Sequence, residues 1–190
     1  MDYNALAELL FPESTLTRED IEARYPERDL PEGAFVTRIG PSPTGFVHLG
    51  NLYNAVIAER IAHQSGGVFY LRIEDTDSKR EVEGAVETLI NAMAYFGVTF
   101  DEGATADGDN GKYGPYRQRQ RKEIYHVFAK ELVQRGLAYP CFLTAEEIDA
   151  IREQQTANKE NPGIYGKYAE KSRSLTLEQI SENIKAGKEW

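Results

Sequence analysis

Hydrophobic positions follow a helical period in one part of the chain and form short continuous runs on either side of it. The helical part is predicted to extend from about His48 to Gln64, where Gly66-Gly67 ends it, and its apolar residues recur at spacings of three and four. These residues are Leu49, Leu52, Tyr53, Val56, Ile57 and Ile61. The flanking runs, Phe35 to Arg38 and Val68 to Ile73, predict strands. Strand, helix and strand together predict a right-handed βαβ unit with a parallel sheet, whose ligand lies at the carboxyl ends of the strands.

The N-terminal part of the chain predicts an extension that docks on the main body. Residues 1–33 begin with an apolar helical patch, from Leu6 to Phe11, and continue as a charged segment with two prolines. Nothing in these residues points to chemistry. They are therefore predicted to form a separate extension.

The pattern after the βαβ unit predicts further helices. A helical stripe from Val82 to Phe96 follows Asp77 and Ser78, either of which could cap its first turn. Residues 98–116 are rich in Gly and Asp and predict a loop, and a helix is expected from Arg117 to Gly136. The last part of the chain predicts a short strand at 137–142, a helix that begins at Thr144 with a capping box, and a helix over 176–186.

Charge and composition limit the classes of protein. The net charge of −9 argues against a general nucleic-acid-coating surface, so any nucleic-acid contact must be local. The chain lacks an apolar run of about 18 residues and a basic N-terminal region, which predicts neither a membrane span nor a signal peptide and a cytoplasmic location. Cys141 is the single cysteine, which excludes an internal disulfide and argues against a cysteine-based zinc site.

The segment Arg38-Ile39-Gly40-Pro41-Ser42-Pro43-Thr44-Gly45-Phe46-Val47-His48-Leu49-Gly50-Asn51 joins the first strand to the helix. Its prolines fix φ in the loop, and the helix that opens near His48 aims free N–H groups at whatever the loop surrounds. This arrangement is typical of a nucleotide site. A strand-to-helix connection without a ligand is the alternative.

Three carboxylates follow the second strand within Ile73-Glu74-Asp75-Thr76-Asp77. Alternate side chains of an extended segment share a face, so Glu74 and Thr76 are expected to point one way and Asp75 and Asp77 the other. One face can serve a ligand while the other holds the loop. Glu74 is the candidate for function, because a carboxylate here can pair with an ammonium group or coordinate Mg²⁺.

Four cations lie close together at the predicted start of the helix after the loop: Arg117, Arg119, Arg121 and Lys122. In an acidic chain this is the concentrated positive patch, and contact with nucleic-acid phosphate is one interpretation. The alternative is a solvated helix face whose cations pair with Glu123 and Asp101.

Residues 38–51 resemble the first signature of the class I aminoacyl-tRNA synthetases in its glutamate form, and residues 73–77 resemble the acidic strand end of the same family. With Gly114 to Gln118 and Tyr139-Pro140-Cys141, the resemblance to glutamate–tRNA ligases extends from about Phe35 to the end of the chain. It implies an α/β fold in three parts. Residues 1–33 would be the extension, 34–114 the first half of a Rossmann-like catalytic domain with a parallel sheet, and 115–190 the start of an α+β insertion that binds the acceptor arm of tRNA.

The resemblance also implies roles for residues. Arg38 would bind the side-chain carboxylate of L-glutamate and Glu74 its α-ammonium, while Ser42 and the backbone around Gly40 would hold the rest. Many relatives have alanine at position 40, and little effect is expected from the glycine. ATP would be bound by Thr44, His48, Gly50 and Asn51, of which His48 and Gly50 are the catalytic candidates.

The implied reaction is attack of the glutamate α-carboxylate on the α-phosphorus of ATP with Mg²⁺, followed by transfer of the glutamyl group to the 3′ end of tRNA. Catalysis would rest on positioning and charge stabilisation. No zinc is expected, because Cys141 stands alone and Leu143 fills the place of a partner. A monomer is the favoured state.

The chain ends at Trp190, before the second half of the nucleotide-binding fold and before the family's lysine-rich loop. The sequence is therefore expected to be an N-terminal piece of a ligase that is inactive alone. Three alternatives stay open: a module that binds the tRNA acceptor stem through the four cations, a related enzyme that glutamylates a tRNA base, and a different adenylyl-transferring enzyme. The base-glutamylating relatives usually have leucine in place of Thr76.

Overall fold

The computed structural model describes residues 1–45, 47–77 and 79–190. They divide into two compact units, one formed by Met1–Arg18 with His126–Trp190 and the other by Glu19–Tyr125. The three-part division expected from the sequence stays a prediction. Within the described ranges, no helix combines the length and the apolar character that crossing a bilayer requires.

The helices of the described residues are α1 (Tyr3–Leu10), α2 (Arg18–Arg24), α3 (Leu49–Gln64), α4 (Ala85–Tyr95), α5 (Lys122–Gln134), α6 (Ala145–Ala157), α7 (Glu170–Arg173) and α8 (Leu177–Lys185). Short 3₁₀ helices cover Gln118–Arg121 and Gly166–Tyr168. The strands are β1 (Val36–Ile39), β2 (Val68–Leu71), β3 (Glu102–Ala104) and β4 (Asp109–Asn110).

The unit 19–125 is built on a four-stranded sheet with the order β1-β2-β3-β4. β1 and β2 pair in parallel with Val36 opposite Val68 and Ile39 opposite Leu71, and α3 connects them, which confirms the predicted βαβ unit. β3 is parallel to β2, and β4 is antiparallel to β3. The fold is thus the mixed α/β class with a mostly parallel sheet that the sequence predicted.

The segment 98–116 is not only a loop, because it contains β3 and β4. Hydrophobic pattern gave no sign of these strands, since β3 has the sequence Glu-Gly-Ala. Gly103 has a φ of +135°, and a Cβ there would lie 2.6 Å from the Leu71 nitrogen. Close backbone approach, rather than apolar side chains, therefore defines this strand.

The apolar stripe predicted for α3 is only partly its buried face. Leu49 and Tyr53 are 80% and 65% exposed, whereas Ala55 and Ala62 are fully buried. Small side chains let the helix lie close to the sheet, and the large ones remain at its outer side. Leu52 and Val56 pack against the core cluster at the border between the two faces.

α4 begins later than the sequence indicated. Its N-cap is Gly84, with a φ of +74°, so the proposed cap Asp77 does not start this helix. The Asp77 carboxylate instead accepts a hydrogen bond from Arg80 Nε at 2.6 Å, and this bond lowers the pKa of Asp77. The proposed cap Ser78 lies outside the described residues.

The unit formed by residues 1–18 and 126–190 has its own core, in which α1 packs with α8 and the end of α5. The apolar patch of the extension is confirmed as α1, while α2 in its charged segment was not predicted. The Thr144 capping box is confirmed: the Glu147 N–H donates to Thr144 Oγ1 at 3.2 Å. The last predicted helix is confirmed as α8.

The short strand predicted over 137–142 is wrong, since these residues have no strand conformation. Gly136, with a φ of +69°, ends α5. The Leu137 and Ala138 N–H groups then donate to the Leu132 carbonyl. The chain is tied back onto the helix that it leaves, so its apolar residues reflect packing in this turn rather than a sheet.

Candidate active site

The carboxyl ends of β1 and β2 bring two of the predicted site residues together. Arg38 lies opposite Tyr70 in the parallel register, so Glu74, four residues beyond Tyr70, continues on the same face. The Glu74 N–H donates to the Pro41 carbonyl at 3.0 Å, which extends the pairing past the end of β2. The two residues thus lie where the strands end, which is the edge of the sheet at which the sequence predicts a ligand.

Arg38 and Glu74 form an ion pair, with 2.9 Å between Arg38 Nη1 and Glu74 Oε1. Their side chains are 38% and 34% exposed. A pair this exposed to water is worth only about 0 to 1 kcal/mol. A ligand that carries both a carboxylate and an ammonium group can therefore replace it at small cost.

Gly40 lies directly against this pair. A Cβ at position 40 would be 2.5 Å from Glu74 Oε1 and closer still to Arg38 Nη1. An alanine here would push the two charged ends aside. These are the flexible ends of two side chains, so the shift is small, and the expectation that glycine or alanine at position 40 is of little consequence stays a prediction.

The loop after β1 surrounds a cavity of about 210 Å³. The start of α3 and the buried side of α4 also line this cavity. Four predicted site residues are part of the lining: Ser42, Thr44, His48 and Asn51. Ser42 and Thr44 are exposed, and the Thr44 N–H donates to the Ser42 carbonyl at 2.8 Å. Three of the four predicted ATP residues thus line one cavity, and Gly50 is not part of its lining. Phe46 of the same motif lies outside the described residues.

His48 is the N-cap of α3, and its backbone N–H donates to Asn51 Oδ1 at 3.2 Å. Asn51 therefore helps to start the helix, a task that is separate from its predicted contact with the nucleotide. A Cβ at Gly50 would lie 3.1 Å from His48 Cε1 and Nδ1. Glycine at this position leaves room for the imidazole ring beside the helix start.

The predicted alternation after β2 is confirmed for its first two carboxylates. Glu74 points to Arg38, whereas Asp75 is buried, with 7% exposure, and faces the other way. Asp75 Oδ1 accepts the Arg119 N–H at 2.8 Å, and the Arg119 guanidinium binds the Asp75 carbonyl at 2.5 Å. Asp75 thus fixes the chain near residue 119. The sequence predicted only that one face of this segment could hold the loop.

Most of the predicted phosphate-binding cations have partners within the chain. Arg117 donates to the carbonyls of Gly108 and Thr105 at 2.8 and 2.9 Å. Arg121 donates to the Pro115 carbonyl at 2.9 Å, Arg119 also binds Glu81 at 2.8 Å, and Lys122 is exposed. Their contact with tRNA stays a prediction.

The alternative partners proposed for these cations are wrong. The Glu123 carboxylate accepts from Arg24 at 3.2 Å. Asp101 Oδ2 accepts the Phe69 N–H at 2.7 Å and lies 3.0 Å from His63 Nε2. The sequence could not show this, because the true carbonyl partners come from the fold of the loop.

A second polar cluster, not found from the sequence, lies beside β3. Glu102 binds Arg28 through two hydrogen bonds and accepts the Tyr116 hydroxyl at 2.5 Å. The Arg28 guanidinium lowers the pKa of Glu102. Burial, together with the hydrogen bond to Glu102, raises the pKa of Tyr116 to about 12.

Among the described residues, no group of three or more His, Cys, Asp and Glu side chains is arranged to hold a metal ion. The Cys141 thiol is free, and its Sγ lies 3.6 Å from Ser172 Oγ. The expected absence of zinc stays a prediction.

The structure has parallel strands with a charge pair at their carboxyl ends, beside a helix that starts after a Pro/Gly-rich loop. This arrangement is typical of α/β domains that bind nucleotides. Residues 34–190 match the family described as tRNA synthetases class I (E and Q), catalytic domain. The chain belongs to this family. The resemblance seen in the sequence motifs is thereby confirmed.

Relatives agree with this assignment. The chain is 53% identical to the glutamate–tRNA ligase of Clostridium perfringens strain 13 over 100% of its length and 35% of that protein. It is 55% identical to the glutamate–tRNA ligase of Acetivibrio thermocellus over 97% of its length and 34% of that protein. The chain thus spans about a third of the length of these curated relatives.

Solved structures are similar as well. The glutamate-tRNA synthetase from Elizabethkingia anophelis has a TM-score of 0.71 and 33% identity, over 82% of this chain and 31% of that one. A glutamate tRNA ligase from Elizabethkingia meningosepticum, in complex with its amino acid, has a TM-score of 0.69 and 33% identity, over 80% of this chain and 30% of that one.

Proposed function

We propose that this chain provides the part of a glutamate–tRNA ligase that binds L-glutamate and ATP. In the reaction, the glutamate α-carboxylate attacks the α-phosphorus of ATP, which forms glutamyl-adenylate and releases pyrophosphate. The glutamyl group then passes to the 3′ end of tRNA, and AMP leaves. The ion pair between Arg38 and Glu74 at the strand ends is the observation that carries this proposal.

Arg38 and Glu74 have the two charges that the amino acid needs. The planar guanidinium of Arg38 can bind the side-chain carboxylate through two parallel hydrogen bonds. The Glu74 carboxylate can accept the α-ammonium group. When L-glutamate binds, the ion pair between Arg38 and Glu74 is replaced by two ion pairs, one from each side chain to the ligand. The α-carboxylate of the ligand remains free to react.

The loop and the start of α3 supply the ATP part of the site. The cavity lined by Thr44, His48 and Asn51 lies at a helix N-terminus, where backbone N–H groups favour a phosphate. His48 is exposed and can donate to the phosphates as charge develops. Mg²⁺ enters with ATP as part of the substrate. The acceptor arm of tRNA is the partner for the residues from about 115 onward.

Ligand-dependent stability tests this proposal. A non-hydrolysable glutamyl-adenylate analogue at a hundred times its dissociation constant is expected to raise the unfolding free energy by about 2.7 kcal/mol. Arg38→Ala is expected to remove most of this gain, because the carboxylate of the ligand then lacks its guanidinium. Arg80→Ala is the matched control, since Arg80 is an exposed arginine that pairs with Asp77 outside the site. Equal stabilisation of the wild type and Arg38→Ala would overturn the assignment of Arg38.

A further inference from the structure

Arg72 lies next to the pair of Arg38 and Glu74. It follows β2, and its N–H donates to the Ile39 carbonyl at 3.1 Å, so it lies opposite Gly40 on the face that holds Arg38 and Glu74. Its side chain is only 19% exposed. Its Nε is buried and has no hydrogen-bond partner. A buried guanidinium N–H without a partner is costly and calls for an explanation.

The end of the Arg72 side chain is close to Glu74. Arg72 Nη2 lies 3.6 Å from Glu74 Oε1, the same oxygen that Arg38 Nη1 contacts at 2.9 Å. The longer distance is within ion-pair range but too long for a hydrogen bond. Glu74 is therefore hydrogen-bonded to Arg38, while Arg72 stands next to it as a second cation with unused donor capacity.

We propose that Arg72 is a positioning residue that holds the Glu74 carboxylate when Arg38 leaves it to bind the ligand. This inference rests on the function proposed above. Once Arg38 turns to the side-chain carboxylate of L-glutamate, Glu74 loses its hydrogen-bonded cation. A small shift of Glu74 toward Arg72 replaces that bond, and the other carboxylate oxygen then faces the α-ammonium group.

The ammonium group of the ligand separates this role from a structural one. Glutarate has the two carboxylates of glutamate but no ammonium group, so it can use Arg38 without using Glu74. Loss of a positioning residue for Glu74 should weaken L-glutamate and spare glutarate. Loss of a residue that merely keeps the strand end in place should weaken both ligands alike.

The experiment is calorimetric titration of the 190-residue chain with L-glutamate and with glutarate, each with a saturating non-hydrolysable ATP analogue. Arg72→Gln removes the charge but keeps a polar side chain, and Arg72→Lys restores the charge. Arg80→Gln is the matched control. Arg72→Gln is expected to weaken the binding of L-glutamate about tenfold, by analogy with the loss of a side chain that orients a metal ligand. The binding of glutarate is expected to weaken less than about twofold. Arg72→Lys should recover part of the preference for L-glutamate.

Each outcome decides the matter. Equal weakening of both ligands, or no weakening of either, overturns the role of Arg72. If Arg72→Gln does not fold, Arg72→Lys decides: a retained preference for L-glutamate supports the role, and a lost preference with unchanged unfolding temperature overturns it. A wild-type chain that binds neither ligand, or that does not distinguish them, overturns the proposed function itself, which separates the two failures.

Discussion

Two groups of arginines in residues 19–125 use their guanidinium groups in different ways. At the strand ends, Arg38 and Arg72 face the carboxylate of Glu74, which a ligand can reach. In the loop before α5, Arg117 and Arg121 bind main-chain carbonyls. In the first group, a ligand can replace the internal partner of the arginine. In the second group, main-chain carbonyls already occupy the guanidinium donors.

The acceptor explains this difference. A carbonyl of the main chain cannot leave without a change in the course of the backbone, so a guanidinium bound to it fixes the loop. A carboxylate side chain can rotate away, and a ligand with the same charge can take its place. We therefore expect substitutions in the loop group to lower stability and substitutions at the strand ends to change ligand binding.

Removal of Arg117 is expected to have the largest effect on stability. Arg117→Met keeps the aliphatic part of the side chain but leaves the carbonyls of Gly108 and Thr105 without their charged donor. Loss of such bonds at a half-buried place costs about 2 to 3 kcal/mol. Urea unfolding of the two proteins measures this difference.

Lys122→Met is the matched control for the loss of one positive charge. Lys122 is exposed on the first turn of α5, and we expect a change below about 0.5 kcal/mol there. If Arg117→Met were as stable as the control, the distinction between fixed and exchangeable arginines would fail.

The cluster of Tyr116, Glu102 and Arg28 is also expected to stabilise the fold less at alkaline pH. Burial and Glu102 raise the pKa of Tyr116 from 10.0 to about 12, so above pH 10 the unfolded chain loses this proton more readily than the folded chain does. Its stabilising contribution is complete below pH 10 and is lost as the pH rises toward 12. The expected loss is about 2 kcal/mol.

Tyr116→Phe isolates this effect, because other tyrosines and lysines titrate in both proteins. The difference in unfolding free energy between wild type and variant should shrink between pH 10 and pH 12. A constant difference across that range would show that the Tyr116 proton does not contribute. Arg38 and Glu74 provide the contrast. We expect ligand binding by this pair to depend on the replacement of its ion pair by the ligand and not on the Tyr116 hydroxyl.

The hydrophobic pattern predicted the part of the fold in which consecutive elements of the chain pack against each other and each has its own apolar spacing. The strand, helix and strand from Val36 to Leu71 follow from such a pattern. β3 does not, because Gly103 pairs with Leu71 through close backbone approach, and no side-chain period records that. The partner of Glu102 is Arg28, far away in the chain, so that contact was also outside the reach of local pattern.

The candidate site shows the same limit. The motifs at Arg38 and Glu74 were visible because strand ends of a parallel sheet meet at one edge, and alternation placed Asp75 on the other side. The same alternation could have placed Arg72 beside Glu74, since the two are alternate residues of one segment, whereas the crowding at Gly40 depends on the strand register. Register is a property of two strands together, which one strand's sequence does not state.

Gly40→Ala is the smallest expected change and tests whether the strand-end charges are truly exchangeable. Position 40 has no left-handed φ, so alanine fits the backbone, but its Cβ would press on Arg38 and Glu74. With that pair opened, L-glutamate no longer has to replace it, and we expect its affinity to rise by up to about fivefold, the worth of an exposed ion pair. Calorimetric titration measures this, with Gly108→Ala as the control because a Cβ there meets nothing within 4 Å. A fall in affinity would show that the added methyl group occupies space that the ligand needs. Steric exclusion, rather than competition between the ligand and the internal ion pair, would then limit binding.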